Sequence, residues 1–308
     1  MNFKKILVTG SSGFIGSHVV EFLHNLGHEV VLFDKYPSPY KAEGQDEIIG
    51  DILNLKDVEK AVDGCSAIYH YAAQADIEFS SKNPKRTLNH NILGTQNLLH
   101  VALNQNVQRF MFASTIYVYS ELGSFYRVSK QACEKIVEEY YREFGLPYTV
   151  LRYGSLYGPR SNKTNGIYNL IYQALKNKKI IRNGDGQEIR EYIYVKEAAE
   201  LSVKALKDEF INKSLIITGN QQYKVKDLLS MINEILRNQI KIEYREKNQL
   251  HHYEITPYSY KPQIARKITS KNSYDFGQGL MELIYLIDNE LNGSKEKISL
   301  NSHKNEDN

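Results

Sequence analysis

Three residues, Thr115, Tyr126 and Lys130, stand at spacings that suit removal of a proton from an alcohol. Tyr126 and Lys130 are four residues apart, so one helical turn puts both side chains on one face. An ammonium beside a phenol stabilises phenolate and draws the tyrosine pKa down from about 10, making the phenol a usable general base. An exposed helix could carry the same pair by chance, since the chain holds 23 tyrosines. Position favours chemistry: in STIYVYSELGSFYRVSK the pair opens a helical pattern directly after a strand that ends at Ser114-Thr115.

The elements that must position this trio alternate along the first half. Near-continuous apolar runs at Lys5 to Thr9, Glu29 to Phe33, Ala67 to Tyr71, Arg109 to Ala113 and Tyr148 to Arg152 predict buried parallel strands. Helical periodicity fits Phe14 to Leu26, Thr87 to Asn104 and Tyr126 to Phe144, the last stopping at Gly145 before Pro147. Such βαβ alternation predicts an α/β fold, a Rossmann-type doubly wound parallel sheet. After Arg160 the pattern shifts to a polar stretch and shorter mixed elements, with helices expected at Val195 to Lys207 and Val225 to Arg237. The expected organisation is a dinucleotide-binding domain over 1–160, a smaller α/β substrate lobe over 161–291 partly interleaved with it, and a disordered tail over 292–308.

Composition bounds the partners. With 308 residues, 42% hydrophobic and 24% charged, the chain has the make-up of a globular protein with a sizeable core. A net charge of +3 argues against nucleic acid or an acidic membrane as the main partner. Cys65 and Cys133 lack metal-ligand spacing and read as free thiols, so no metal is expected and a reducing, cytoplasmic setting is. The apolar run after Lys4-Lys5 is broken by Gly10 and Gly13, unlike a signal peptide, and no run approaches the roughly 18 apolar residues of a membrane span.

Gly10-Ser-Ser-Gly13-Phe14-Ile15-Gly16 follows the first strand and opens the first helix. Glycines there allow a tight turn and close approach of a pyrophosphate to helix N-terminal amides. Asp34, at the end of the second strand, can accept the adenosine ribose hydroxyls and repels a 2′-phosphate, which selects NAD over NADP. Lys35 softens that preference without reversing it.

From about Lys5 to Lys196, and more faintly to Leu291, these motifs in this order resemble the extended short-chain dehydrogenases/reductases, in particular the NAD-dependent nucleotide-sugar epimerases and dehydratases. The resemblance implies that Asp51 and Ile52 contact adenine and that Ala72, Ala73 and Gln74 line the cofactor diphosphate and ribose. It implies that Asn91, in Asn91-Ile-Leu-Gly-Thr95, steadies the active-site end of the sheet beside the cofactor; for His70 and Asn91 a structural role is favoured over chemistry. It gives Thr115 the task of orienting the sugar hydroxyl toward Tyr126, with Lys130 on the cofactor ribose and Ser114 as a neighbouring substrate contact. Tyr153 would lie beside the nicotinamide, while Ser155, Arg190 and, with less support, Arg160 and Lys261 would bind the substrate phosphates. Ser155 departs from the asparagine that many members carry.

Absences narrow the reaction. The resembling 4,6-dehydratases carry an Asp-Glu pair after the threonine, where this chain has Ile116 and Tyr117, and the carboxylate or cysteine of decarboxylases and epimerase-reductases is also missing. Oxidation at C4 of a nucleotide-activated hexose or heptose remains. Only six residues separate Tyr119 from Tyr126, where relatives place a longer loop over the sugar. That brevity favours release of a 4-keto sugar, a 4-dehydrogenase resembling GDP-heptose enzymes; the family's habit favours a 4-epimerase that keeps the ketone bound. A catalytically silent NAD-binding sensor or scaffold is the alternative of another class. The resemblance further implies a homodimer or homotetramer built on the helices at Thr87 to Asn104 and Tyr126 to Phe144.

Overall fold

The computed structural model describes residues 3–246 and 252–257. In chain order, β1 (Lys5–Thr9), α1 (Phe14–Asn25), β2 (Glu29–Asp34), β3 (Asp46–Ile49), α2 (Leu55–Val62), β4 (Ala67–His70), α3 (Ile77–Lys82), α4 (Pro84–Leu88), α5 (Gly94–Asn104), β5 (Arg109–Thr115), α6 (Ser124–Phe144) and β6 (Tyr148–Tyr153) form the doubly wound part. They are followed by β7 (Ser155–Tyr157), α7 (Gly166–Asn177), β8 (Lys179–Asn183), β9 (Ile189–Tyr194), α8 (Val195–Lys204), β10 (Lys213–Ile217), β11 (Gln222–Lys224), α9 (Val225–Ile235) and β12 (Lys241–Arg245).

Among the described residues the main sheet has seven strands in the order β10-β6-β5-β4-β1-β2-β3, all parallel. Successive side chains of a strand point to opposite faces, so each apolar run feeds two layers. Leu7, Val31, Ile68 and Phe110 pack with Val58 of α2, Leu98 of α5 and Val137 of α6. Their neighbours Ile6, Val30, Ala67 and Met111 pack with Val19 of α1 and Ala198 of α8. The order reverses between β1 and β4, and the carboxyl ends of those strands flank the crevice where doubly wound sheets bind ligands.

Chain beyond position 160 returns to this sheet: β10 pairs with β6, and α8 joins the layer of α1. The smaller α/β lobe holds the β11-β9-β7 and β12-β8 sheets and its own core of Leu170, Ile180, Val225 and Leu229. The helix expected over Thr87 to Asn104 begins earlier, at Pro84, and passes through a π-helical turn, Asn89–Leu93, before α5. The expected tail and Lys261 lie outside the described residues.

Candidate active site

A cavity of about 700 Å³ opens at the carboxyl ends of β1, β2, β4, β5 and β6. Its walls include Gly10, Gly13, Phe14, Ile15, Gly16, Asp34, Ile52, Ala72, Ala73, Gln74, Ser114, Thr115, Tyr126, Lys130 and Tyr153, so most of the residues expected from the sequence converge there. That volume falls within the range of small-molecule sites.

One end is built from backbone. Gly10 has φ +69°, and a Cβ there would sit 2.6 Å from the Ala72 amide nitrogen, so only glycine lets the β1 turn and the β4 loop approach this closely. No side chain caps α1, whose N-cap is Gly13, so its first-turn amides face the cavity without a competing cap. Asp34 accepts from the amides of Ser12 at 3.0 Å and Tyr36 at 3.3 Å, tying the glycine turn to the end of β2. These features fit a dinucleotide: an amide cradle for the diphosphate and a carboxylate at ribose distance down the strand.

Asp51 and Asn91 do not line the cavity. Asp51 pairs with Lys35 at 2.9 Å and accepts from the Leu53 amide at 3.0 Å. Asn91 stands behind the cofactor loop and holds it: its Oδ1 accepts from the Gln74 amide at 2.7 Å, and its Nδ2 donates to the Gln74 carbonyl at 3.1 Å and to Ser129 Oγ at 2.8 Å. Ser129 in turn donates to the Tyr126 carbonyl at 2.7 Å, which links the loop to α6 at Tyr126. At the π-turn the Asn91 carbonyl accepts from the Gly94 amide and from the Thr95 hydroxyl at 2.6 Å. His70 lies between Thr9 at 2.8 Å and Thr95 at 3.0 Å, and burial drives its pKa well below 6.5, so it is a neutral strut.

At the reaction centre Thr115 ends β5 and shares the cavity wall with Tyr126. Lys130 Nζ lies 6.0 Å from the Tyr126 ring centroid and donates to the Ala113 carbonyl at 2.7 Å. The expected depression of the tyrosine does not hold in the protein alone. Burial pushes Tyr126 up to about 12, with the nearby Thr115 hydroxyl opposing, and burial pulls Lys130 down to about 8. Desolvation dominates because both groups sit in the interior rather than on the helix surface. Tyr153 lines the cavity and is anchored through its hydroxyl to Ser202 at 2.6 Å and Tyr71 at 2.9 Å.

The residues expected at the sugar phosphates are engaged with protein. Ser155 Oγ lies 3.3 Å from the Tyr253 hydroxyl, and Arg160 pairs with Glu21 at 2.5 Å. Arg190 donates to the carbonyls of Tyr253 at 2.5 Å and Glu254 at 3.2 Å, with its guanidinium 4.2 Å from the Tyr253 ring centroid. None of the three lines the cavity. Ser114, which does, spends its proton on Glu134 at 2.5 Å. Residues missed from the sequence include Arg86, His90, Asn162, Thr164 and Asn165, all on the walls; the polar run from Ser161 to Gly166 was the available signal.

The connection between Thr115 and Tyr126 is as tight as its length implies. A 3-10 turn, Ile116–Tyr119, leaves four residues before α6. Gly123 has φ +104°, and a Cβ there would meet the Tyr117 ring at 2.7 Å. Tyr117 itself leans on the smaller lobe, with its hydroxyl 2.7 Å from His252 Nδ1 and its ring 4.7 Å from that of Tyr253. Among the described residues no group of His, Cys, Asp or Glu is placed to hold a metal ion, and no helix is long and apolar enough to cross a membrane.

Sheet, glycine turn and Thr-Tyr-Lys centre together define an enzyme of the short-chain dehydrogenase/reductase type. The chain belongs to the NAD dependent epimerase/dehydratase family, whose model matches residues 6–217. It is 30% identical over 270 residues to an uncharacterized UDP-glucose epimerase of Bacillus subtilis, covering 79% of this chain and 85% of that one. Its fold matches UDP-glucose 4-epimerase of Thermotoga maritima, solved with UDP-glucose, at TM-score 0.77 and 27% identity over 83% of this chain and 90% of that one. UDP-glucuronic acid 4-epimerase of Bacillus cereus, solved with UDP-glucuronic acid and NAD, matches at TM-score 0.76 and 28% identity over 85% and 95% of the two chains. NAD is the cofactor of the family to which the chain belongs.

Proposed function

We propose that the protein oxidises C4 of a nucleotide-activated sugar and restores it with inverted configuration, as a nucleotide-sugar 4-epimerase. The observation that carries this reading is the placing of Thr115, Tyr126 and Lys130 on one cavity with the glycine turn. NAD supplies the hydride acceptor. Thr115 orients the C4 hydroxyl, and Tyr126 takes its proton as the C4 hydrogen leaves as hydride. Lys130 holds the base and the cofactor ribose. Once the ketone has turned over, return of the hydride to the opposite face of C4 and of the proton from Tyr126 to the oxygen completes inversion with no net redox change. Uridine nucleotides are the first substrates to test, given the names of the relatives, with GDP-hexoses and a GDP-heptose beside them.

One observation favours a second reading, net 4-dehydrogenation: the four-residue connection before α6 leaves little chain to retain the ketone. Incubation with NAD and a panel of nucleotide sugars, followed by NADH absorbance and NMR of the sugar, separates the readings. A C4-inverted product without net NADH supports the epimerase. NADH equimolar with a released 4-keto sugar supports the dehydrogenase. Neither across the panel sinks both and leaves a silent NAD-binding protein. The same reading includes a cytoplasmic homodimer or homotetramer; exposed Phe125, Val128, Tyr141 and Phe144 on α6 support self-association, which sedimentation velocity tests.

A further inference from the structure

Behind the reaction centre, side chains from four segments meet. Glu134, on α6 one turn past Lys130, is 4% exposed. Its carboxylate receives Arg152 of β6 through two bonds, Nη2 at 2.7 Å and Nε at 3.0 Å, and receives Ser114 Oγ of β5 at 2.5 Å. Arg152 also donates to the Tyr119 hydroxyl at 2.5 Å, with its guanidinium 4.9 Å from that ring centroid. The four segments are those that carry or flank the reacting groups. Ser114 precedes Thr115, Glu134 shares a helix with Tyr126 and Lys130, Arg152 precedes Tyr153, and Tyr119 is the last residue before the short connection.

A buried ion pair contributes little net stability, because desolvation consumes most of its attraction. A bidentate guanidinium-carboxylate fork does fix angles, and here it fixes α6 against β6, while Ser114 ties β5 to the same carboxylate. We propose that Glu134 and Arg152 are positioning residues, a buried fork that sets Thr115 against Tyr126 and whose two members bias the charge on Lys130 in opposite directions. This deepens the proposed C4 oxidation, and its kinetic arm rests on that reading.

Lys130 is surrounded by Tyr126, Cys133 and Glu134 on α6, by the Ala113 carbonyl and Phe112 ring of β5, and by neutral His70 of β4. Burial lowers its pKa, and Cys133 and Glu134 act in the opposite direction. Arg152 screens Glu134. Removing the carboxylate charge therefore makes the ammonium lose its proton at lower pH, and removing Arg152 makes it hold on to higher pH. A scaffold with no electrostatic role produces no such opposed pair.

The test is an NMR titration of protein labelled with ¹³C at lysine Cε, the Lys130 signal being assigned by its loss in Lys130→Arg. Glu134→Gln is expected to lower the midpoint, and Arg152→Gln to raise it, each by about half a pH unit or more. In turnover, kcat falls about tenfold or more in both, with the nucleotide-sugar KM within about twofold of wild type. Midpoints that stay put or move the same way in folded, NAD-binding variants overturn the proposal, as does an unchanged kcat. Should either variant fail to fold, Glu134→Asp and Arg152→Lys keep the charges and break the fork. They should lose kcat while keeping the midpoint, and wild-type kcat in both overturns the idea. If wild-type protein turns over no nucleotide sugar, the functional reading fails, and the lysine titration still decides the role of the pair.

Discussion

The cofactor end of the cavity and the segments expected to meet the sugar phosphates are built on different terms. At the cofactor end the ligand-facing atoms are backbone amides and small residues held by β1, β2 and β4, with Asp34 and Asn91 bracing them. The groups expected at the sugar phosphates, Arg160, Arg190 and Ser155, stand off the cavity walls and already bond to Glu21, to the carbonyls of Tyr253 and Glu254, and to the Tyr253 hydroxyl. The first end is preorganised for one ligand. At the second, the polar groups are engaged with protein, those of Arg190 and Ser155 with residues 253–254 and that of Arg160 with Glu21.

Changes at the centre, then at each end, should break or sharpen this contrast. Tyr126→Phe, the largest, should cut turnover about 10²- to 10⁴-fold while NAD titration stays as in wild type, because only the proton acceptor is lost. Asp34→Ala should weaken NAD about 10- to 100-fold, the loss of charge-assisted hydrogen bonds, and narrow the gap to NADP in parallel titrations. At the other end Arg190→Lys should raise the nucleotide-sugar KM about tenfold and leave NAD affinity alone, since a point charge replaces the fork. A lower thermal midpoint with unchanged KM would instead assign Arg190 to holding residues 253–254. The smallest effect concerns pH. His70 is neutral in the fold and protonates near 6.5 when unfolded, so the unfolded chain binds the extra proton and stability drops as pH falls below 6.5. Its share is at most about 1.4 kcal/mol per pH unit, and urea melts of wild type and His70→Asn at pH 5 to 7.5 should converge toward acid.

The cofactor end was legible in the sequence because its signals are local. Gly10 to Gly16 after an apolar strand, Asp34 at the next strand end, and Tyr126 with Lys130 one turn apart each depend on a few neighbouring residues. What was not legible depends on pairing across the chain. β10 reads as a short apolar run anywhere, and only its partner β6 makes it the edge of the main sheet. Glu134 sits in a helix of many charges and reads as solvated, yet Arg152 and Ser114 bury it. Arg190 was readable as an anion binder by type, but residues some sixty positions later occupy its fork. The tyrosine pKa was misjudged for the same reason, because spacing reveals a neighbouring lysine and says nothing of how much water remains.

On the proposed C4 oxidation, the four-residue connection closed by Gly123 sets a race. Once C4 is a ketone, the sugar either turns within the cleft or escapes it, and the ratio of those two rates decides whether the protein interconverts sugars or consumes NAD. The chemistry at Tyr126 is common to both outcomes. Lengthening the chain between Tyr119 and Ser124 should therefore move the partition ratio while the rate of the first hydride transfer stays fixed, so product identity becomes a property of a turn rather than of the catalytic residues.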